Sequence, residues 1–487
     1  MRLARIEVLS RDEISAINDA SMEILEKTGI KVQSTKAVNI LEDHGASVDK
    51  KHEMVYLPRD LVLSALTTVP SRFQLHGPSG DFRVEISTRS QVFATQGSPS
   101  KIHDSLNPRI PRDATMEDLK HLIQIVESLP RISIPQMDIW PNDVPYSIMH
   151  CLALKEWARY TSKPFGIGCR GRQFSKDLME IASILAGGMN QLKEKPRLIA
   201  FYNTLSPLAL PGTLTDGLIE FVEHGQPAII APAATAGTTA PMTLAGVLAQ
   251  TNAEVLATIT LTQMISKGTP VVYGAVNSPM DPVSGNVSWG AIETSLLTVA
   301  AAQLARNHGI PSRAPGCITD AMQFGMQNGI ERFASLAFTT SAGINYITCG
   351  GTYEAGLASS LELLVLDDEL IGMANRATRG IEVTGKTLAI EQIHDVCQPS
   401  ADRTFLKSRH TLENLRKELF IPRLFTRGSR ATWKDSGYPT LIDLARKKMN
   451  HLLDYAKPVL HDESIIKEID ACINVAKRRN ANEYRRN

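Results

Sequence analysis

The residues in this 487-residue chain that could carry chemistry are mostly not proton carriers. Short apolar runs that read as strands end on Trp140, on Cys169 with Arg170, on Tyr202 with Asn203, on Tyr273 with Asn277, on Arg313, and on Thr348 through Gly351. Asp281 and Glu354 lie a little further into the following loops. The set is rich in aromatic and amide groups and poor in acid–base pairs. No histidine closes any of these strands, so a Ser/His/Asp or Cys/His nucleophile has little support. Aromatic rings and arginines around one opening suit a ligand that is cationic at one end and anionic at the other. An aromatic face attracts a quaternary ammonium by about 2 kcal/mol when desolvated.

Each candidate also has a plainer role. Trp140, before a proline, could plug a rim; Tyr202 and Tyr273 could be core residues whose hydroxyls reach a partner. Either arginine could pair with a loop carboxylate, and Glu254, inside an apolar helix, could make a buried polar contact. Cys169, Cys317 and Cys349 near strand ends could hold zinc, but nothing in their spacing enforces convergence, and small buried thiols are the favoured reading. No metal is expected.

The elements that must position these residues follow from apolar spacing. The runs 132–140, 164–169, 197–203, 227–232, 270–275, 310–316 and 344–350 mostly start roughly thirty to forty residues apart, with helical segments between them. Such spacing fits repeated βα units with right-handed crossovers, and IEVT near residue 381 could supply an eighth strand. Eight units over about 260 residues match a closed β/α barrel of the TIM type. An open doubly wound sheet is the rival, but no GxGxxG follows an early strand. The expected division is a cap of helices and a small antiparallel sheet over 1–124, the α/β barrel over 125–385, and a helical extension over 386–487.

Composition narrows the function classes. Lys+Arg 52 against Asp+Glu 51 leaves a formal charge of +1, so nothing points to nucleic acid. The start of the chain turns polar too early for a signal peptide, and the longest apolar stretch is broken by Gln250, Asn252 and Glu254, which argues against a membrane span. Six scattered cysteines without a CxxC pair fit neither a disulfide framework nor a zinc knuckle, and a reducing cytoplasm is the expected location. Apolar stripes on the C-terminal helices leave room for a homo-oligomer.

Longer strings carry a family resemblance. NAEVLATITLTQMISKGTPVVYGAVNSPMDPVSG, then AAQLARNHGIPSRAPGCITDAMQFGMQNGIERFAS, then GGTYEAGLASSLELLVLDDEL, resemble the corrinoid-dependent trimethylamine methyltransferase superfamily across nearly the whole chain. The resemblance implies a β/α barrel that moves a methyl group to a Co(I) corrinoid (cob(I)alamin) carried by a separate small corrinoid-binding protein, with no tightly held cofactor in this chain. Members acting on trimethylamine carry pyrrolysine in the loop after the sixth strand. The match of TDAMQFGMQNGIE to that loop puts the corresponding position at or beside Met322, so the chain resembles the non-pyrrolysine members. That group includes glycine betaine methyltransferase.

The chemistry accommodates the loss. A methyl on a quaternary nitrogen already has a cationic leaving group, so transfer needs positioning and electrostatics rather than acid–base catalysis. Trimethylamine has a neutral nitrogen, and Met322 offers no electrophile to activate it. The expected donor is therefore a small quaternary amine, glycine betaine first, with dimethylglycine as product. Carnitine, γ-butyrobetaine or proline betaine are alternatives, as is a quaternary-amine binding protein without turnover. From position along the chain, Trp140, Tyr202 and Tyr273 are expected around the ammonium, with Arg313 first and Arg170 second for the carboxylate. Asn277, and Gln96 from the cap, would add hydrogen bonds. Apolar residues in the Met322 loop would keep the cation dry.

Overall fold

The computed structural model describes residues 5–95, 97, 99–104, 110–137, 139–460 and 462–483; Gln96 lies outside them. At its centre is a curled, all-parallel sheet of seven strands: β1 (Val92–Ala94), β2 (Phe165–Gly168), β3 (Leu198–Tyr202), β4 (Ala228–Ile230), β5 (Val271–Gly274), β6 (Ser312–Pro315) and β7 (Tyr346–Thr348). β2 to β7 pair in chain order, and β7 pairs with β1. An eighth stave closes the ring: Ile134 bridges Ala94 of β1, and Gln136 bridges Gly166 of β2, both in parallel. The α/β barrel expected from the spacing is therefore present.

One stave comes from an unexpected place. IEVT at 381 forms no strand, and Ile381 is 81% exposed. A barrel strand is covered on both faces, whereas residues 381–388, after the helix that ends at Gly380, are all exposed. The missing stave is β1, from within the stretch assigned to the cap. Its Val92, Phe93 and Ala94 are all buried, as a parallel strand between sheet and helices requires. Antiparallel pairing does occur in that region, between Arg72–His76 and Arg83–Ser87, between Ser47–Asp49 and Met54–Tyr56, and between Lys101–Ile102 and Arg112–Asp113.

The pleat sorts side chains between two cores. Ile199, Ile229, Val272 and Tyr346 point into the barrel, where Leu75, Val84 and Ile86 of the hairpin join them and fill it. Leu198, Ala200, Tyr202, Val271 and Tyr273 point outward into the helical layer. The helix Leu244–Ile265 is long and apolar enough to cross a membrane by length and composition, but 78% of its apolar window is buried inside the protein. The helices Arg11–Glu23 and Arg59–Leu66 pack across it. Its Glu254 accepts hydrogen bonds from the Ser206 hydroxyl at 2.8 Å and the Leu208 N–H at 3.0 Å, the buried polar role weighed for it above. Leu441–Asp454 packs on Leu361–Arg379, and Glu463–Glu483 packs on Tyr146–Tyr160 and Arg172–Ala186.

Candidate active site

A cavity of about 340 Å³ opens where the barrel strands end. Gln136 and Met137 of the closing stave, Gly168 to Arg170 after β2, Phe201 and Asn203 of β3, and Arg313 of β6 contribute to its wall. Trp289 and Gly356 reach it from longer loops. None of the described lining residues is an Asp or Glu.

Arg170 and Arg313 are thus brought together, as their strand-end positions suggested. Both guanidiniums lie on aromatic faces. The Arg170 guanidinium carbon is 3.9 Å from the centroid of Trp140, and that of Arg313 is 4.9 Å from the centroid of Phe201. Arg313 also donates from Nη2 to the Thr348 hydroxyl at 2.8 Å. Burial pulls the Arg170 guanidinium below its ordinary value, with an opposing contribution from Tyr146; among the described residues no carboxylate acts on it. An arginine stays protonated even so. The described wall therefore carries two guanidiniums set against aromatic surfaces.

Three of the expected contacts fall elsewhere. Tyr202 lies on the outward face of β3, where its hydroxyl meets the Thr215 hydroxyl at 2.9 Å. Tyr273 lies on the outward face of β5 and donates to Asn252 Oδ1 at 2.9 Å. Burial pushes both phenols up. Asn277 donates to the Thr251 hydroxyl at 3.1 Å and accepts from the Ala234 N–H at 3.3 Å, so it ties loops together outside the cavity. The physical reason for the tyrosines is one residue of pleat: the ring facing the cavity on β3 is Phe201, the neighbour of Tyr202. Trp140 is half-buried beside the site, but the ring face it would offer a cation already carries Arg170.

Met322 and Met326 do not dehydrate the cavity. They are 73% and 83% exposed, and neither lines it. The Met322 loop is held from below by the buried His103, whose Nε2 donates to the Met322 carbonyl at 3.0 Å. Asp320, in the same loop, has a different use. Its carboxylate accepts from the backbone N–H groups of Trp289 at 2.8 Å and Gly290 at 2.9 Å, pinning the loop that carries Trp289 into the cavity wall. Burial pushes the Asp320 carboxyl up, against those two hydrogen bonds.

Trp289 was missed because it sits fifteen residues beyond the end of β5, too far along a loop for strand-end reasoning. Two glycines make room at the wall. A Cβ on Gly166 would lie 2.6 Å from Gln136 Cγ, and one on Gly356 would lie 2.6 Å from the Trp289 ring.

Among the described residues, the cysteines near the strand ends do not converge at the cavity. Cys169 is buried, its thiol is pushed up to about 12 by desolvation, and it contacts the Phe201 carbonyl at 3.5 Å. Cys317 lies against Cys349 rather than Cys169. Among the described residues, the group of potential ligands that does converge is His150, Cys151 and Asp177, away from the cavity in the outer helices. Arg479 already lies on Asp177 at 3.0 and 3.1 Å, supplying the positive charge a cation would bring.

Comparison with known proteins agrees with this architecture. The chain is 31% identical over 463 residues to the glycine betaine methyltransferase of Desulfitobacterium hafniense, covering 95% of both chains. It is 28% identical over 449 residues to a trimethylamine methyltransferase of the same species, covering 92% of this chain and 90% of the relative. A trimethylamine methyltransferase of Methanosarcina mazei is 28% identical over 480 residues, with 97% and 96% covered. Among solved structures, the monomethylamine methyltransferase of Methanosarcina barkeri shares the fold at a TM-score of 0.51 and 16% identity, covering 92% of this chain and 89% of the other. The family described as Trimethylamine methyltransferase (MTTB) matches residues 1–482, and this chain belongs to it.

Proposed function

We propose that the chain transfers one methyl group from glycine betaine to the corrinoid of a separate partner protein, releasing dimethylglycine. The observation that carries this reading is Arg170: a guanidinium on which no described carboxylate acts, in the same cavity as Phe201 and Trp289. A ligand with a carboxylate at one end and a quaternary nitrogen at the other satisfies both features. A donor without a carboxylate, such as tetramethylammonium or trimethylamine, would make no use of Arg170.

In this reading Arg170, stacked on Trp140, takes the carboxylate, and Arg313 reinforces it from the β6 side. Trp289, its loop pinned by Asp320, presents apolar surface to the methyl groups and excludes water from them. The carbon–nitrogen bond breaks with its electron pair remaining on nitrogen, which leaves as a neutral tertiary amine. No proton moves, which suits a wall whose described residues include no acid or base poised to titrate near neutrality. The corrinoid supplies the nucleophile that accepts the methyl, and an external acceptor is needed because the protonated, buried Cys169 thiol is not a nucleophile. The likeness to a glycine betaine methyltransferase supports the choice of donor.

The test is product analysis. Purified chain, glycine betaine and cob(I)alamin under strongly reducing conditions should yield dimethylglycine in step with loss of the Co(I) absorbance. Binding of glycine betaine by calorimetry without any dimethylglycine would instead favour a binding protein.

A further inference from the structure

A second polar recess lies at the end of the barrel opposite the mouth. Arg197 stands immediately before β3, four residues from Phe201 at the cavity, which is roughly 13 Å along a strand. Its backbone is fully used: the N–H donates to Gln226 Oε1 at 3.1 Å, and the carbonyl accepts from the Phe165 N–H at 3.2 Å. Its side chain is not. Arg197 is only 4% exposed, yet among the described residues its Nε and Nη1 find no hydrogen-bond acceptor. Asp81 acts on it through space, without a hydrogen bond. A buried guanidinium keeps its charge, and leaving that charge unpaired is costly. Arg332, also buried, shows the ordinary solution: it pairs with Asp367 and donates from Nη1 to the Thr352 carbonyl at 2.8 Å.

The hairpin that fills the barrel bends over Arg197. Gly80, at its tip, has φ 87°, and a Cβ there would lie 2.9 Å from Arg197 Nη2, so glycine lets the turn approach the guanidinium. His76, 8% exposed, donates its N–H to the Pro196 carbonyl at 2.8 Å, and its Nδ1 is a further buried polar atom without a partner among the described residues. A recess of about 270 Å³ at Arg197 adjoins one of about 570 Å³ at His76, with Gly80, Asp81, Glu194 and Lys195 as shared walls. The buried cation calls for oxygen acceptors. Lys195, exposed at the rim, adds positive charge, while the exposed Asp81 and Glu194 beside it repel polyanions such as nucleic acid. The balance suits a small oxyanion, a phosphate or a carboxylate.

We propose that Arg197, His76 and Lys195 bind a small oxyanion at the floor of the barrel, where it ties the hairpin tip to the start of β3. The site is separate from the mouth, and the inference is independent of the methyl donor. The full chain is titrated with sodium phosphate, sodium acetate or sodium chloride at matched ionic strength, and amide exchange is read segment by segment. Phosphate or acetate should slow exchange saturably over 76–82 and 191–198, and chloride should not; whichever acts identifies the oxyanion. R170M should leave that protection unchanged, because Arg170 lies at the other end of the barrel. R197M should raise the midpoint concentration about 100-fold, the scale of a lost charge-assisted contact. K195E, at an exposed position, should raise it severalfold, and it decides the matter should R197M fail to fold. Exchange over 76–82 that ignores both oxyanions overturns the proposal. So does protection confined to the mouth, protection by chloride equal to that by either oxyanion, or a midpoint that K195E leaves unmoved.

Discussion

The Arg170 guanidinium lies over the Trp140 ring, 3.9 Å from centroid to guanidinium carbon, and the two residues come from different strand ends, after β2 and after the closing stave. The stack fixes a long, flexible cation at the cavity wall. Trp140 therefore acts on a ligand through Arg170 rather than as a cage wall. R170M should lower kcat/KM for glycine betaine by about 100-fold, the scale of a lost charge-assisted pair, and W140L by about tenfold, the scale of a lost cation–π contact. Steady-state kinetics on the two variants check the order. A W140L defect as deep as that of R170M would mean that Trp140 touches the donor directly.

Tyr202 and Tyr273 make the complementary prediction. Because both hydroxyls bond within the outer helical layer, Y202F and Y273F should each cost about 1–2 kcal/mol of stability and leave KM for the donor within twofold. Urea denaturation and the same kinetic assay separate the two effects. A large rise in KM with unchanged stability would return the tyrosines to the site.

Gly356 has φ 85°, and a Cβ there would strike the Trp289 ring. G356A should destabilise the fold by about 1–3 kcal/mol, the scale of forcing a side chain into a left-handed conformation, and shift the tryptophan fluorescence as Trp289 is displaced. Loss of methyl transfer should exceed what the stability change explains.

His308 gives a pH prediction remote from the cavity. Its Nε2 contacts Asn18 Oδ1 at 3.1 Å, and burial pulls the imidazole down to about 4. The unfolded chain binds that proton near pH 6.5, whereas the folded chain resists it. Stability from this group is full above about pH 6.5 and falls as pH drops towards 4, by about 1–3 kcal/mol in total. Urea midpoints from pH 7 to 4 should fall less steeply in H308Q than in the wild type.

The barrel was legible because apolar runs at regular spacing carry it. Its first stave was not, because the three residues of β1 follow directly on a hairpin and read as part of it. Arg170 and Arg313 lie at the cavity wall, since an arginine at the close of a buried run has few places to go but the mouth. The facing of Phe201 and Tyr202 was hidden: Leu198 to Tyr202 is apolar throughout, and a run without alternation has no readable inside. Trp289 and Asp320 were hidden differently, each set in its place by a loop–loop hydrogen bond that no local pattern encodes. The Met322 loop borders the mouth as expected, but its methionines face solvent.

The central claim is that this cavity selects a donor by its carboxylate as well as its onium group. The most direct measurement is the ratio of kcat/KM for glycine betaine to that for tetramethylammonium, with cob(I)alamin as acceptor, in the wild type and in R170M. The account predicts a wild-type ratio well above one that falls by about 100-fold on substitution. A ratio unchanged by R170M, or a wild-type enzyme that prefers trimethylamine to either, would contradict it.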